Sequence, residues 1–278
     1  MSVISMNFES QYLGSRHYIS IILPDAPRNR DPRTFYPENN KFKVLWLLHG
    51  TYGDCTDWIR KTNIEIYAGE KNLVVIMPTA LNSDYVNWKS FGLGFNMFDF
   101  LFEELMPMIY SWFPVSDKRE DNYIAGLSMG GMGTMVYALN RPEKFAAAGS
   151  LSGPIMNPRE PIPLVVPENH QVPSHLKDFR PVRRDNQISN PGNFDDYIAS
   201  PANTWDKLVN NYADGVVMPK LYFCCGTDDF LYPPYVTFKK FAYDNGFDIV
   251  FEEEDGFKHE WSFWDKYIKR FLDLYIPD

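Results

Sequence analysis

NYIAGLSMGGMGTMVYALN, Asn122 to Asn140, decides the fold. Its first residues run apolar without alternation up to Ser128, which predicts a strand covered on both faces, and Met129 to Asn140 predicts a helix. Where the two meet, GLSMG (Gly126 to Gly130) matches G-x-S-x-G, a pattern in which a sharp strand-to-helix turn lifts a serine hydroxyl to the top of a sheet. Alone the pattern is weak, since a chain of this length meets it by chance about one time in ten. Its setting strengthens it. Gly126, Gly130 and Gly131 supply the missing side chains that such crowding demands.

The same rhythm recurs on either side. KVLWLLHG (Lys43 to Gly50) and LVVIMP (Leu73 to Pro78) are continuous apolar runs, separated by a predicted helix from about Thr56 to Ala68. Met97 to Trp112 has helical spacing. FAAAGSLSG (Phe145 to Gly153), KLYFCCG (Lys220 to Gly226) and DIVFEE (Asp248 to Glu253) read as further strands, with helices near Tyr235 to Asn245 and at Trp261 to Tyr275. At the N-terminal end Arg16 to Leu23 alternates and is read as a strand, followed by a Pro-rich loop to Asn40. Short strands apolar on both faces, alternating with helices, predict an α/β fold, a doubly wound and mostly parallel sheet. In such sheets chemistry sits just beyond the carboxyl ends of the strands. That rule selects His49 to Tyr52, Gly126 to Gly131, Thr227 to Asp229, and the loop of His259.

One stretch breaks the pattern. From Gly153 to Ala202, 50 residues hold 9 of the 21 prolines, and apolar periodicity fades. It is read as a cap or lid inserted over the carboxyl end of the sheet, within a single domain spanning 1–278. Composition excludes several classes. Lys plus Arg number 27 against 36 Asp plus Glu, a net charge of −9, which argues against a nucleic-acid backbone as partner. No apolar run is long enough to span a bilayer, and MSVISMNFES lacks the features of a signal peptide, so the expectation is a cytoplasmic protein without a membrane partner. Three cysteines make no disulfide framework: Cys224 and Cys225 are adjacent in a strand and point to opposite faces, and Cys55 lies in a polar loop. There is no CxxC and no HExxH, so neither a metal nor a cofactor is expected. Association into a homo-oligomer is compatible with all of this.

A serine hydroxyl becomes a nucleophile only when a base takes its proton, and the base needs a carboxylate to hold its tautomer. In this architecture the chain order is serine, then acid, then histidine. Of five histidines, only His49 and His259 fall in post-strand loops, and only His259 follows the last strand. The acid should follow the strand ending at Gly226, where Asp228 and Asp229 stand side by side. Asp229 is preferred, with Asp228 as the alternative, a turn-forming aspartate at the start of the loop. His49 is expected to pack beneath the loop that follows it and to transfer no proton. Backbone N–H groups should receive the developing oxyanion: Met129 directly after the serine, and Thr51 in preference to Tyr52 after His49-Gly50. Trp88 and Phe91, in a polar loop after a strand, are the candidates for lining a substrate pocket, whereas Trp58, Phe95 and Trp261 read as core.

Together LWLLHG, KREDNYIAGLSMGGMG, RPEKFAAAGSLSG, CGTDDFLY and GFKHEWSFWDKYIKRFL resemble the esterase D-like branch of the α/β-hydrolases. That branch includes tributyrin esterases, feruloyl esterases and S-formylglutathione hydrolases, and the likeness is strongest to the small bacterial tributyrin esterases. The resemblance implies an α/β-hydrolase fold and carboxylesterase activity on a small ester. It supports Ser128, Asp229 and His259 as the triad, because the family's acid is the second residue of the acidic pair. Acyl transfer or thioester hydrolysis could use the same residues, and a catalytically silent carbohydrate-binding module is the reading from another class.

Overall fold

Among the described residues (1–36, 41–88, 96–168, 171 and 194–277 of a computed structural model), eight strands form one sheet. They are β1 (Ser2–Ser10), β2 (Ser15–Leu23), β3 (Val44–Leu48), β4 (Val74–Pro78), β5 (Asn122–Leu127), β6 (Ala147–Leu151), β7 (Lys220–Gly226) and β8 (Ile249–Glu254). Their order is β1-β2-β4-β3-β5-β6-β7-β8. β2 runs antiparallel to both neighbours, and every other pairing is parallel.

The unbroken apolar runs are explained by cover on both faces. Trp46, Leu48, Val74, Ile76, Phe223 and Cys225 enter one core, beneath the helices Met129–Asn140 and Tyr232–Asp244. Their chain neighbours Leu45, Leu47, Val75, Met77, Tyr222 and Cys224 enter the other, beneath the helix Trp261–Tyr275. Period two thus distributes consecutive apolar residues to two separate cores. Cys224 and Cys225 lie on opposite faces as expected, and burial pushes both thiols up. Cys55 is also buried, and its N–H donates to Thr79 Oγ1. No helix among the described residues is long and apolar enough to cross a membrane.

Three differences from the sequence reading have local causes. The expected helix 56–68 is two, Asp57–Lys61 and Ile64–Glu70. Thr62 is extended between them, and Asn63 donates from its N–H and its Nδ2 to Asp265 of the last helix. The stretch 97–112 is helical, but Phe100–Leu105 is wound as a π-helix, with the Met106 N–H reaching back to Leu101 O. Pro107 has no N–H to give, so a wider turn ahead of it absorbs the missing bond. The helix Thr204–Ala213 was not anticipated. Among its residues only Leu208 and Asn211 are buried, so its apolar stripe is thin.

β1 was missed as well. Ile4, Met6 and Phe8 alternate inward, but at the edge of the sheet they are only half-buried. The turn after it is held by Glu104, which accepts from Ser10 Oγ and from the N–H groups of Gln11 and Tyr12. Of the stretch read as a cap, residues 153–168, 171 and 194–202 are described, and the rest lies outside the described residues. Arg159 anchors it with two 2.7 Å bonds to Asp206.

The β1–β2 hairpin also encloses His17, whose ring lies 4.8 Å from Phe100 and 6.3 Å from Phe8. Its Nε2 is buried and has no hydrogen-bond partner among the described residues. Burial holds this imidazole down at about 4, against 6.5 for a solvated histidine. The unfolded chain therefore takes up the proton first as pH falls, so stability is complete above pH 6.5 and is lost progressively toward pH 4. The loss from this group reaches about 3 kcal/mol. Urea midpoints between pH 7 and 4 should fall less steeply for His17→Leu than for the native chain, and identical slopes would show that another group is responsible.

Candidate active site

Ser128 stands between β5 and the helix Met129–Asn140 with φ 52° and ψ −118°, a left-handed backbone that a non-glycine residue adopts only under constraint. The constraint is visible. Its N–H donates to Leu151 O at 2.8 Å and its carbonyl accepts from Met132 N–H at 3.0 Å. Close approach of backbones makes the flanking glycines obligatory. A Cβ on Gly126 would lie 2.4 Å from Gly130 O, and one on Gly130 would lie 2.5 Å from Leu48 O and 2.6 Å from His49 O. These neighbours are main-chain atoms and cannot step aside.

Two loops bring partners to the hydroxyl. His259 Nε2 lies 2.9 Å from Ser128 Oγ, and His259 Nδ1 lies 2.8 Å from Asp229 Oδ2. The other carboxylate oxygen, Oδ1, accepts from Leu231 N–H at 2.8 Å. With Asp229 accepting on both oxygens, Nδ1 carries the proton and Nε2 is left to accept from the serine. The side chains of His259 and Asp229 are 7% and 0% exposed, so little water competes for these bonds. Asp228 is exposed and contributes only its N–H, to Phe257 O. The pair that the sequence leaves side by side is separated by geometry in favour of Asp229. Gly226 lets the two loops meet, since a Cβ there would lie 2.2 Å from Phe257 O.

The loop after β3 leans on the serine turn: a Cβ on Gly50 would come within 3.5 Å of Ser128 Cβ. His49 is buried under it as expected. Its Nδ1 donates to Gly50 O at 2.7 Å and its Nε2 accepts from Ala80 N–H at 2.8 Å, while Tyr85 Oη donates to His49 O. Burial pushes its pKa down, which keeps Nε2 an acceptor. Tyr52 has φ 63° and its N–H is committed to Asn82 Oδ1 at 2.8 Å, which leaves Thr51 as the amide after Gly50 suited to an incoming oxygen. The roles of Asn82 and Tyr85 were not legible in sequence, because they act across 30 and 36 residues.

Trp88 is 4% exposed and packs with Val86 and Val136, its indole N–H donating to Ser83 O. It fills an apolar cluster among the described residues. Phe91 and Phe95 lie outside the described residues. Trp58 is core as expected, bonded to Leu48 O, and Trp261 packs edge-on against it.

The family model described as "Putative esterase" matches residues 10–230. The chain belongs to this esterase family. An acetyl esterase of Caldicellulosiruptor saccharolyticus is 30% identical over 271 residues, 96% of each chain. Among solved structures, the fluorophosphonate-binding serine hydrolase FphF of Staphylococcus aureus is 30% identical with a TM-score of 0.81, covering 100% of this chain and 99% of its own. The S-formylglutathione hydrolase FrmB of the same organism is 29% identical with a TM-score of 0.79, covering 99% of both. A ferulic acid esterase at 20% identity and a TM-score of 0.70 shares the fold. The esterase therefore has the α/β-hydrolase fold and is a carboxylic ester hydrolase of the serine type.

Proposed function

We propose that the esterase hydrolyses esters of small acyl groups through an acyl-enzyme on Ser128. The observation that carries this is the continuous chain Ser128 Oγ, His259 Nε2, His259 Nδ1, Asp229 Oδ2, with bonds of 2.9 and 2.8 Å. His259 takes the hydroxyl proton as Oγ attacks the ester carbonyl, and Asp229 stabilises the imidazolium that forms. The N–H groups of Thr51 and Met129 hold the oxyanion, the second strengthened by its place in the first turn of a helix. Collapse expels the alcohol, which takes the proton from His259. A water deprotonated by His259 then attacks the acyl carbon, and the acid leaves as Ser128 regains its proton. Three buried cysteines without a disulfide among the described residues support a cytoplasmic location.

The size of the acyl group is read from the relatives. One acts, by its name, on acetyl esters and another on a formyl thioester, and both align over nearly the whole chain. A panel of formyl, acetyl, butyryl and feruloyl esters, with S-formylglutathione as its thioester member, is expected to give kcat/KM at least about tenfold higher for the two smallest acyl groups. A fluorophosphonate should leave a single adduct, on Ser128, by peptide mass spectrometry. An adduct on another residue would overturn the acyl-enzyme assignment, and a preference for feruloyl would overturn the small acyl site.

A further inference from the structure

The loop after β6 repeats the serine turn one strand away. Ser152-Gly153 follows Leu151 at the end of β6 as Ser128-Met129 follows Leu127 at the end of β5, and Ser152 has φ 50° where Ser128 has 52°. The N–H of Ser128 donates to Leu151 O, and that of Ser152 donates to Cys224 O, each at 2.8 Å. The second turn is wedged against the first: a Cβ on Gly153 would lie 2.8 Å from Ser128 O. Ser152 is fully buried and so cannot meet an ester. Its hydroxyl instead accepts from Trp264 Nε1 at 3.1 Å. Trp264, on the last helix and 4% exposed, sets its ring 4.9 Å from that of His259 at an interplanar angle of 86°. A second ring, Phe230, follows Asp229 directly and lies 4.6 Å from the imidazole at 49°.

The reaction as derived uses none of Ser152, Trp264 or Phe230, yet His259 needs what they supply. Its imidazole must satisfy Asp229 and Ser128 at once, and it sits on a loop just before the helix Trp261–Tyr275, whose N-cap Glu260 makes no side-chain cap bond. Hydrogen bonds at the two ring nitrogens leave the ring free to rock about the line joining them. Rings packed within 5 Å occupy the space such rocking would sweep. We propose that Trp264, locked by Ser152, and Phe230 are positioning residues that hold the His259 imidazole at its working pitch. The inference rests on His259 being the base.

The test separates the two ideas. Trp264→Phe keeps a ring and loses the N–H, and Phe230→Leu keeps bulk and loses planarity. Each should lower kcat about tenfold with KM within about twofold, because a small misplacement of a reacting group costs turnover before it costs binding. Ser152→Ala should do the same, and the double variant Ser152→Ala/Trp264→Phe should be no worse than either single one, since both delete the same bond. Phe230→Tyr should restore turnover. The downfield Nδ1–H proton resonance of His259 should broaden or move in the impaired variants while their thermal unfolding stays cooperative. If His259→Ala abolishes turnover but these variants keep native kcat and an unmoved resonance, the positioning role is overturned and the base stands. A loss that tracks unfolding or a raised KM also overturns it. If His259→Ala keeps turnover, the base assignment itself fails.

Discussion

Ser128→Ala is expected to lower kcat for p-nitrophenyl acetate by about 10⁴- to 10⁶-fold, with KM little changed. The hydroxyl is the group that His259 Nε2 meets at 2.9 Å, and without it the base has no nucleophile to activate. Water held by the same amides would account for what turnover remains, because oxyanion donors and binding act independently of the nucleophile. Alanine carries the same Cβ as serine and so adds no steric cost at φ 52°, and the turn is braced by Leu151 O and by glycines on either side. The variant should therefore fold, and cooperative melting would show it. Loss of the fluorophosphonate adduct should accompany the loss of turnover. Retention of a tenth or more of native kcat in a folded Ser128→Ala protein would sink the acyl-enzyme mechanism.

Asp229→Asn should cost about 10⁴-fold in kcat, whereas Asp228→Asn should stay within about twofold. The physical reason lies in the count of acceptors. Asp229 offers two oxygens to two donors, Leu231 N–H and His259 Nδ1–H. An asparagine has only one carbonyl oxygen, so its amide NH₂ must face one of those donors. If the oxygen stays on Leu231, the NH₂ points at Nδ1 and forces the proton onto Nε2. That nitrogen can then no longer accept from Ser128. Asp228 uses only its backbone N–H and keeps it in either form. Parallel kcat/KM measurements on the two variants decide the matter, and an equal loss in both would mean that the loop exchanges the two carboxylates.

The motifs that survived translation into structure are those whose partners are close in sequence or imposed by the topology. GLSMG needs only the strand before it and the helix after it, so it was legible. His259 was legible because chain order and the last strand leave one histidine in place. Adjacency makes Asp228 and Asp229 nearly equivalent in sequence, whereas in the structure it is Asp229 Oδ2 that lies 2.8 Å from the imidazole. β1 was not legible because an edge strand is only half covered, so Ile4, Met6 and Phe8 alternate with a weak contrast. The π-helix turn at Phe100–Leu105 was hidden because helical periodicity tolerates one wide turn, although Pro107 is a local sign of it.

By itself the sequence determined the α/β architecture, the strand-to-helix turn at Ser128 and the loop that carries His259 to it. Apolar runs, glycines and chain order act locally or through topology. Tertiary structure alone decided which aspartate faces the imidazole and that the Tyr52 amide is taken by Asn82. It also decided which rings surround His259. Those outcomes depend on Asn82, Ser152 and Trp264, and on the meeting of the Asp229 and His259 loops, contacts made only after distant strands have paired. A hydrogen bond is set by tenths of an ångström, and no pattern of residue types along a chain encodes distance at that scale.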